Sequence, residues 1–172
     1  MTFYNFLVNG IEPAPQGSKT YLGRGRMIES CKRVKSWRGL VNKVARKFIK
    51  EPFTGACEVV LVFKLKRRKD HFNSKGEVKN NAPKQYLVKR NDLDKLVRST
   101  LDALSGVAYL DDCQVIKVIA SKEYANNEEE VGANICINEI IKSGDRSETP
   151  LPPCHYSFQP SVYLKASGSL TI

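Results

Sequence analysis

From Leu93 to Leu104 the apolar residues Leu93, Leu96, Val97, Leu101 and Leu104 recur at the i, i+3, i+4, i+8, i+11 spacing of one helical face, and Ser105-Gly106 supplies a stop. The spacing predicts a helix over about Asp94–Ser105, and the remainder of the chain must provide a surface for its apolar stripe. One acidic pair, Asp92 and Asp94, stands at the entrance to this helix, and a second, Asp111-Asp112, follows its end. Residues two apart point to nearly opposite sides of a helix but share a face on an extended segment. For Asp92 and Asp94 to act together, the chain must still be extended at Asp92, with Asp94 near the N-cap.

A third carboxylate from Asp111 or Asp112 could return to the same point only if the helix folds back across a sheet. Three such oxygens would suit a hard cation such as magnesium, which prefers oxygen ligands and keeps positions open for water and phosphate. The same residues also have a purely structural reading. Acids are favourable in a first helical turn, Asp is a good N-cap, and Asp-Asp before a strand is ordinary turn chemistry.

Charge favours the metal. The 172-residue chain holds 28 Lys+Arg against 18 Asp+Glu, a formal net charge of +10, so its natural partner is a polyanion: nucleic acid first, an anionic membrane surface second. The balance is +15 over residues 1–91 and −5 over residues 92–172. A carboxylate cluster beside phosphates would repel them unless a cation lies between. No apolar run reaches the length of a membrane span, and no basic leader precedes a long apolar stretch, so a soluble, unexported protein is expected. The five cysteines are odd in number and widely spaced, as expected of reduced thiols in a cytosolic setting, and the isolated His71 and His155 give a zinc site little support.

Thr2–Asn9 is aromatic-rich and predicts a first strand. Over Ser30–Lys50 the residues Val34, Trp37, Val41, Val44, Ala45 and Phe48 share a face, with Lys and Arg filling the rest, which predicts a basic amphipathic helix with Trp37 in the core. Cys57–Leu65 reads as a buried strand, and the polar segment His71–Arg90 as a long mobile loop. Gln114–Tyr124 and Val131–Ile140 read as two strands joined into a hairpin by the turn Ala125–Glu130. The order β-α-β-α-β-β is that of an α+β domain, a mixed sheet with two main helices packed on it. It is expected to span residues 1–142, with residues 143–172 forming a tail rich in Pro, Ser and Gly.

The run Asp92-Leu93-Asp94 through Arg98 and Leu101-Asp102-Ala103-Leu104, then Asp111-Asp112-Cys113-Gln114-Val115, resembles the signature of the RusA family of Holliday junction resolvases. The resemblance is close from Arg90 to about Lys122, and the element order extends it over residues 2–140. It implies that Asp92, Asp94 and Asp112 hold Mg2+, with Asp111 a neighbour. It puts Arg98 where the family usually has a catalytic Lys, and Asn91 and Lys95 where it commonly has Pro and Asn. A guanidinium is a poor proton donor, so Arg98 is expected to act electrostatically. The resemblance further implies a homodimer in the cytoplasm of a bacterial or phage-infected cell, cutting two opposed strands of a four-way DNA junction.

The expected function is thus a magnesium-dependent endodeoxyribonuclease acting on branched DNA, with Asp92, Asp94, Asp112 and Arg98 at its catalytic centre and no membrane partner. Backbone contacts are expected from Arg24 and Arg26, where interleaved glycines let a backbone approach phosphates, although such loops also serve as plain turns. Lys66, Arg67, Arg68, Lys69, Lys89, Arg90 and Lys95 complete the expected DNA-binding set, and the basic helix would grip a second stretch of backbone. Two other functions fit the residues: a basic nucleic-acid-binding module without catalysis, and a metal-dependent nucleotide phosphohydrolase.

Overall fold

Strand Ala56–Leu65 (β4) organises the molecule because it is buried on one face and paired along both edges. Its odd-numbered residues Cys57, Val59, Leu61, Phe63 and Leu65 are inaccessible to solvent and turn toward the helices. This is a computed structural model of the chain. Residues 1, 18, 22, 24, 26, 30, 84, 87–89 and 141–172 lie outside the described residues, and the expected tail lies with them.

Around β4 the elements follow the α+β order read from the sequence. They are β1 (Phe3–Asn9), a short antiparallel pair β2 (Lys19–Tyr21) and β3 (Met27–Glu29), α1 (Val34–Phe48), β4, α2 (Leu93–Leu104), β5 (Val115–Tyr124) and β6 (Gly132–Ile140). The main sheet is four-stranded and mixed, in the order β1-β6-β4-β5. β4 runs parallel to β5 and antiparallel to β6.

This order corrects the expected hairpin. β5 and β6 are consecutive, yet β4 lies between them, and the connection passes over the end of β4, where Ala125 N–H bonds to Leu65 C=O at 2.9 Å. Alternation of apolar residues reports which face a strand buries and says nothing about its neighbour. The segment expected to be a mobile loop also has local order. Lys69–His71 forms a 3-10 turn, Phe72 and Val78 are bridged, and the Asn73 side chain accepts the N–H groups of Lys75 and Glu77.

One face of the sheet carries both helices. Phe6 and Val8 of β1 and Ile135 and Ile137 of β6 join the β4 row beneath Val34, Trp37, Val41 and Ala45 of α1 and Leu96, Ala103 and Leu104 of α2. Trp37 is fully buried, as expected, and donates its indole N–H to Thr100 Oγ1 at 3.2 Å, which fixes α1 against α2. Phe48 departs from the predicted stripe: it is half-exposed at the helix end and stacks on Phe6. Gly132 is required where β6 begins. A Cβ there would stand 1.8 Å from the Val8 carbonyl oxygen, so only glycine lets β1 and β6 approach.

The parallel β4–β5 pair needs a crossover, and α2 is its helix. The acids before and within the first turn of α2 therefore lie at one end of that helix, and the acids preceding β5 follow its other end.

Candidate active site

Asp92 is the N-cap of α2, with extended backbone angles (φ −56°, ψ 135°), and Asp94 falls in the first turn, the local geometry that joint action of the pair requires. The Asp92 carboxylate does not cap the helix. Its Oδ2 meets Lys95 Nζ at 2.7 Å, and this ammonium holds the carboxyl below its ordinary range. The residue before it, Asn91, sits in the left-handed region at φ 62°, which Asn tolerates better than most residues. Its amide donates to Tyr86 Oη at 3.1 Å and its carbonyl accepts Lys122 Nζ at 3.2 Å. The entry to the helix is thus held by side chains on both sides.

An open cleft of about 430 Å³ lies along the outer side of α2. Asp94, Arg98 and Asp102, at i, i+4 and i+8, line it with Val97 and Leu101 between them. Gln16 and Gly17 line it from the first loop, and Asp112 enters from beyond the helix end. Asp92 does not line this cleft.

Asp102 is already engaged. Its Oδ2 accepts Gln16 Nε2 at 2.7 Å and lies 3.4 Å from Arg38 Nη1, while Arg38 also donates to Gln16 Oε1 and to the Asp102 carbonyl. Gln16 N–H bonds to Lys95 C=O at 3.0 Å, so the loop is fastened to α2 at two points. Among the described residues Arg98 forms no ion pair with Asp94 or Asp102; Asp102 takes Arg38 instead. The sequence reading missed Gln16, Gly17 and Arg38 as site residues. The first two carry no charge, and Arg38 was one cation among many on α1.

The second acidic pair divides its work. Asp111 caps the 3-10 turn Asp112–Gln114: its Oδ1 accepts Cys113 N–H at 2.9 Å, and Gln114 Oε1 accepts the N–H groups of Asp111 and Leu110. The Cys113 N–H, together with the Cys113 side chain, holds the Asp111 carboxyl below its ordinary range. Gln114 Nε2 ties the turn to the carbonyls of Phe53 and Gly55 at 3.0 and 2.8 Å. Asp112 is left at the cleft, near Tyr109, whose buried hydroxyl bonds to Leu101 C=O at 2.9 Å and whose ionisation is pushed up by burial and by Asp112.

Of the cations expected to contact DNA, Lys66 pairs with Glu128, and Arg68 meets Asp70 at 3.1 Å. Arg67 lies 4.5 Å over the Tyr124 ring and donates to Pro83 C=O. Lys69 and Arg90 are exposed, and Lys95 holds Asp92. Arg24, Arg26 and Lys89 lie outside the described residues. On α1, Lys35, Lys43 and Lys47 are exposed on the solvent face.

The donor type suits a hard divalent cation: carboxylate oxygens beside an open, polar cleft. Among the described residues no three Asp, Glu, His or Cys side chains are grouped to hold one ion. Asp94 in the first turn and Asp102 in the third are roughly 12 Å apart along an ideal helix, and Asp112 lines the same cleft as both.

Comparison with known proteins gives this geometry a family. Residues 10–136 match the family model described as endodeoxyribonuclease RusA, a span that holds both helices and Asp92, Asp94, Asp102, Asp111 and Asp112. No curated protein matches the chain. Among the described residues no helix is long and apolar enough to cross a membrane.

Proposed function

The chain belongs to the endodeoxyribonuclease RusA family, and on that premise we propose that it is a magnesium-dependent resolvase of four-way DNA junctions that works as a homodimer. The observation that carries the reading is that Asp94, Arg98 and Asp112, drawn from two elements, face one solvent-open cleft beside a basic helix.

Asp92, Asp94 and Asp112 would hold the metal. When bound there, a divalent cation supplies a Lewis acid that activates water and offsets charge on the scissile phosphate. Asp94 and Asp112 already face the cleft, whereas Asp92 must leave Lys95 to join them. Dimerisation is what the family resemblance implies, and an isologous two-fold assembly would set two such clefts in a fixed relation. A dimer also matches a substrate with two opposed strands to cut.

Arg98 would set a permanent positive charge against a non-bridging or leaving oxygen, stabilising charge as it develops. Arg38 and Gln16 engage the Asp102 carboxylate, so it does not pair with Arg98, and they keep the loop wall in place. Lys69, Arg90 and the exposed lysines of α1 would grip backbone, which positions the junction without reading sequence. Arg24, Arg26 and Lys89 remain part of the proposed contact set.

The test is cleavage of a mobile four-way junction, a matched duplex and a single strand, each with Mg2+ and with chelator. Metal-dependent, paired nicks on the junction are expected. Binding without cleavage under every condition would return the protein to a non-catalytic module, and hydrolysis of free nucleotides alone would make it a phosphohydrolase.

A further inference from the structure

Of the three proposed metal ligands, Asp92 alone forms an ion pair among the described residues, and Asp94 also feels the same Lys95 ammonium. Lys95 Nζ lies 2.7 Å from Asp92 Oδ2, across one turn at i, i+3. An N-cap carboxylate ordinarily accepts a backbone N–H from the first turn, and this one does not. Its position is instead set by Lys95. The Lys95 backbone is tied to the first loop, since its carbonyl accepts Gln16 N–H at 3.0 Å, and its Cγ lies 3.9 Å from where a side chain on Gly17 would begin. The same point is 3.9 Å from Arg98 Nη1, so the lysine stem runs beside the cleft wall.

Building on the metal site proposed above, we infer that Lys95 is a latch that keeps Asp92 out of the ligand set, so that a divalent cation must displace the ammonium to recruit this third carboxylate. Both partners are more than one-third exposed, at 36% and 47%, and an exposed ion pair is weak enough for a divalent ion to break. The latch keeps Asp92 neutralised when no metal is present, sparing the first turn of α2 a bare acidic pair beside incoming phosphates. Lys95 thereby sets the metal concentration at which the site assembles.

Removing any nearby cation strengthens a metal site by simple electrostatics, so a single variant does not decide the matter. A double-mutant cycle does. Mg2+ binding to the full-length chain is measured by titration calorimetry at fixed ionic strength for the parent, Lys95→Gln, Asp92→Asn and the double variant, with Lys95→Arg as the conservative control. The expected result is that Lys95→Gln tightens Mg2+ binding by about fivefold or more, within the usual range of coupling between sites. This gain disappears in the Asp92→Asn background, and Lys95→Arg stays near the parent. An equal gain in both backgrounds, or no gain, overturns the latch while leaving the metal site standing. Absence of Mg2+ binding in every variant overturns the metal site and the latch together.

Discussion

At the scale of single residues, the site separates acids by what already holds them. Asp102 is held by Arg38 and Gln16, and Asp111 by its own turn, leaving Asp94 and Asp112 at the open cleft. Asp94→Asn is therefore expected to lower cleavage by at least about 100-fold, since even outer-shell partners of metal ligands are worth 10–100-fold. Junction affinity should stay within a few-fold. Single-turnover rates beside a binding isotherm check this, and retained turnover at ordinary Mg2+ removes Asp94 from the site. Arg98→Lys should keep much of the activity and Arg98→Ala should lose it with melting temperature unchanged, because no ion pair joins Arg98 to its helical neighbours among the described residues. Asp111→Asn should be tolerated because Asn is an equally good cap, whereas Asp111→Ala should lower stability and slow cleavage by loosening the turn that presents Asp112. Urea melts of the two variants distinguish them. In the sequence the acids stood out as candidates by type and spacing, which left Asp111 and Asp112 equal, and the choice of Asp112 and the place of Arg98 came from the family resemblance. Gln16 and Gly17 did not stand out, since a neutral loop gains its place in the cleft only from tertiary contact with α2.

At the scale of elements, both helices and strands β1, β4 and β6 were legible because each buries one face at its own period, and β5 by its apolar content alone, since Ile116, Val118 and Ile119 are exposed. Within α1 the buried residues Val34, Trp37, Val41 and Ala45 are the stripe read from sequence. Strand order was not legible. β4 is apolar along its helix-facing side and has both edges satisfied, so it displaces the hairpin that β5 and β6 would otherwise form. The short β2–β3 pair went unread for a related reason, being three residues per strand with no alternation to detect. The β1–β6 edge yields a prediction of its own. Gly132 has φ 156° and lies against the Val8 carbonyl, so Gly132→Ala must push β1 off β6. A loss on the order of 2–3 kcal/mol is expected, as for other overpacked sites. Denaturant melts measure it, and a variant as stable as the parent would mean that the strands do not approach this closely.

At the scale of the whole molecule, a split that is plain in the sequence does not survive folding. The basic half ends at residue 91 and the acidic half begins at residue 92, yet the sheet order β1-β6-β4-β5 alternates strands from the two. Cations and acids from opposite halves are thereby brought together. Lys66 pairs with Glu128, Lys64 lies between Glu123 and Glu130, and Lys117 meets Glu58. Net charge was legible in the sequence, but its distribution depends on these pairings, which need the fold. The consequence for DNA binding can be measured. Each phosphate neutralised by the protein contributes roughly −0.9 to the slope of log affinity against log salt. Neutralising Lys35, Lys43 and Lys47 on the solvent face of α1 should flatten that slope by roughly 0.9 for each phosphate that no longer has a lysine beside it. Neutralising Lys66, Arg67 and Arg68 should flatten it less, because Lys66 and Arg68 already face carboxylates and Arg67 covers Tyr124. Both sets should weaken junction and duplex alike, since interactions with the sugar-phosphate backbone carry no branch information. Fluorescence anisotropy across a salt series resolves the two patches. A larger change from the Lys66–Arg68 set would mean that DNA displaces Glu128 and Asp70, and a slope flat in the parent would remove the basic surface from binding altogether.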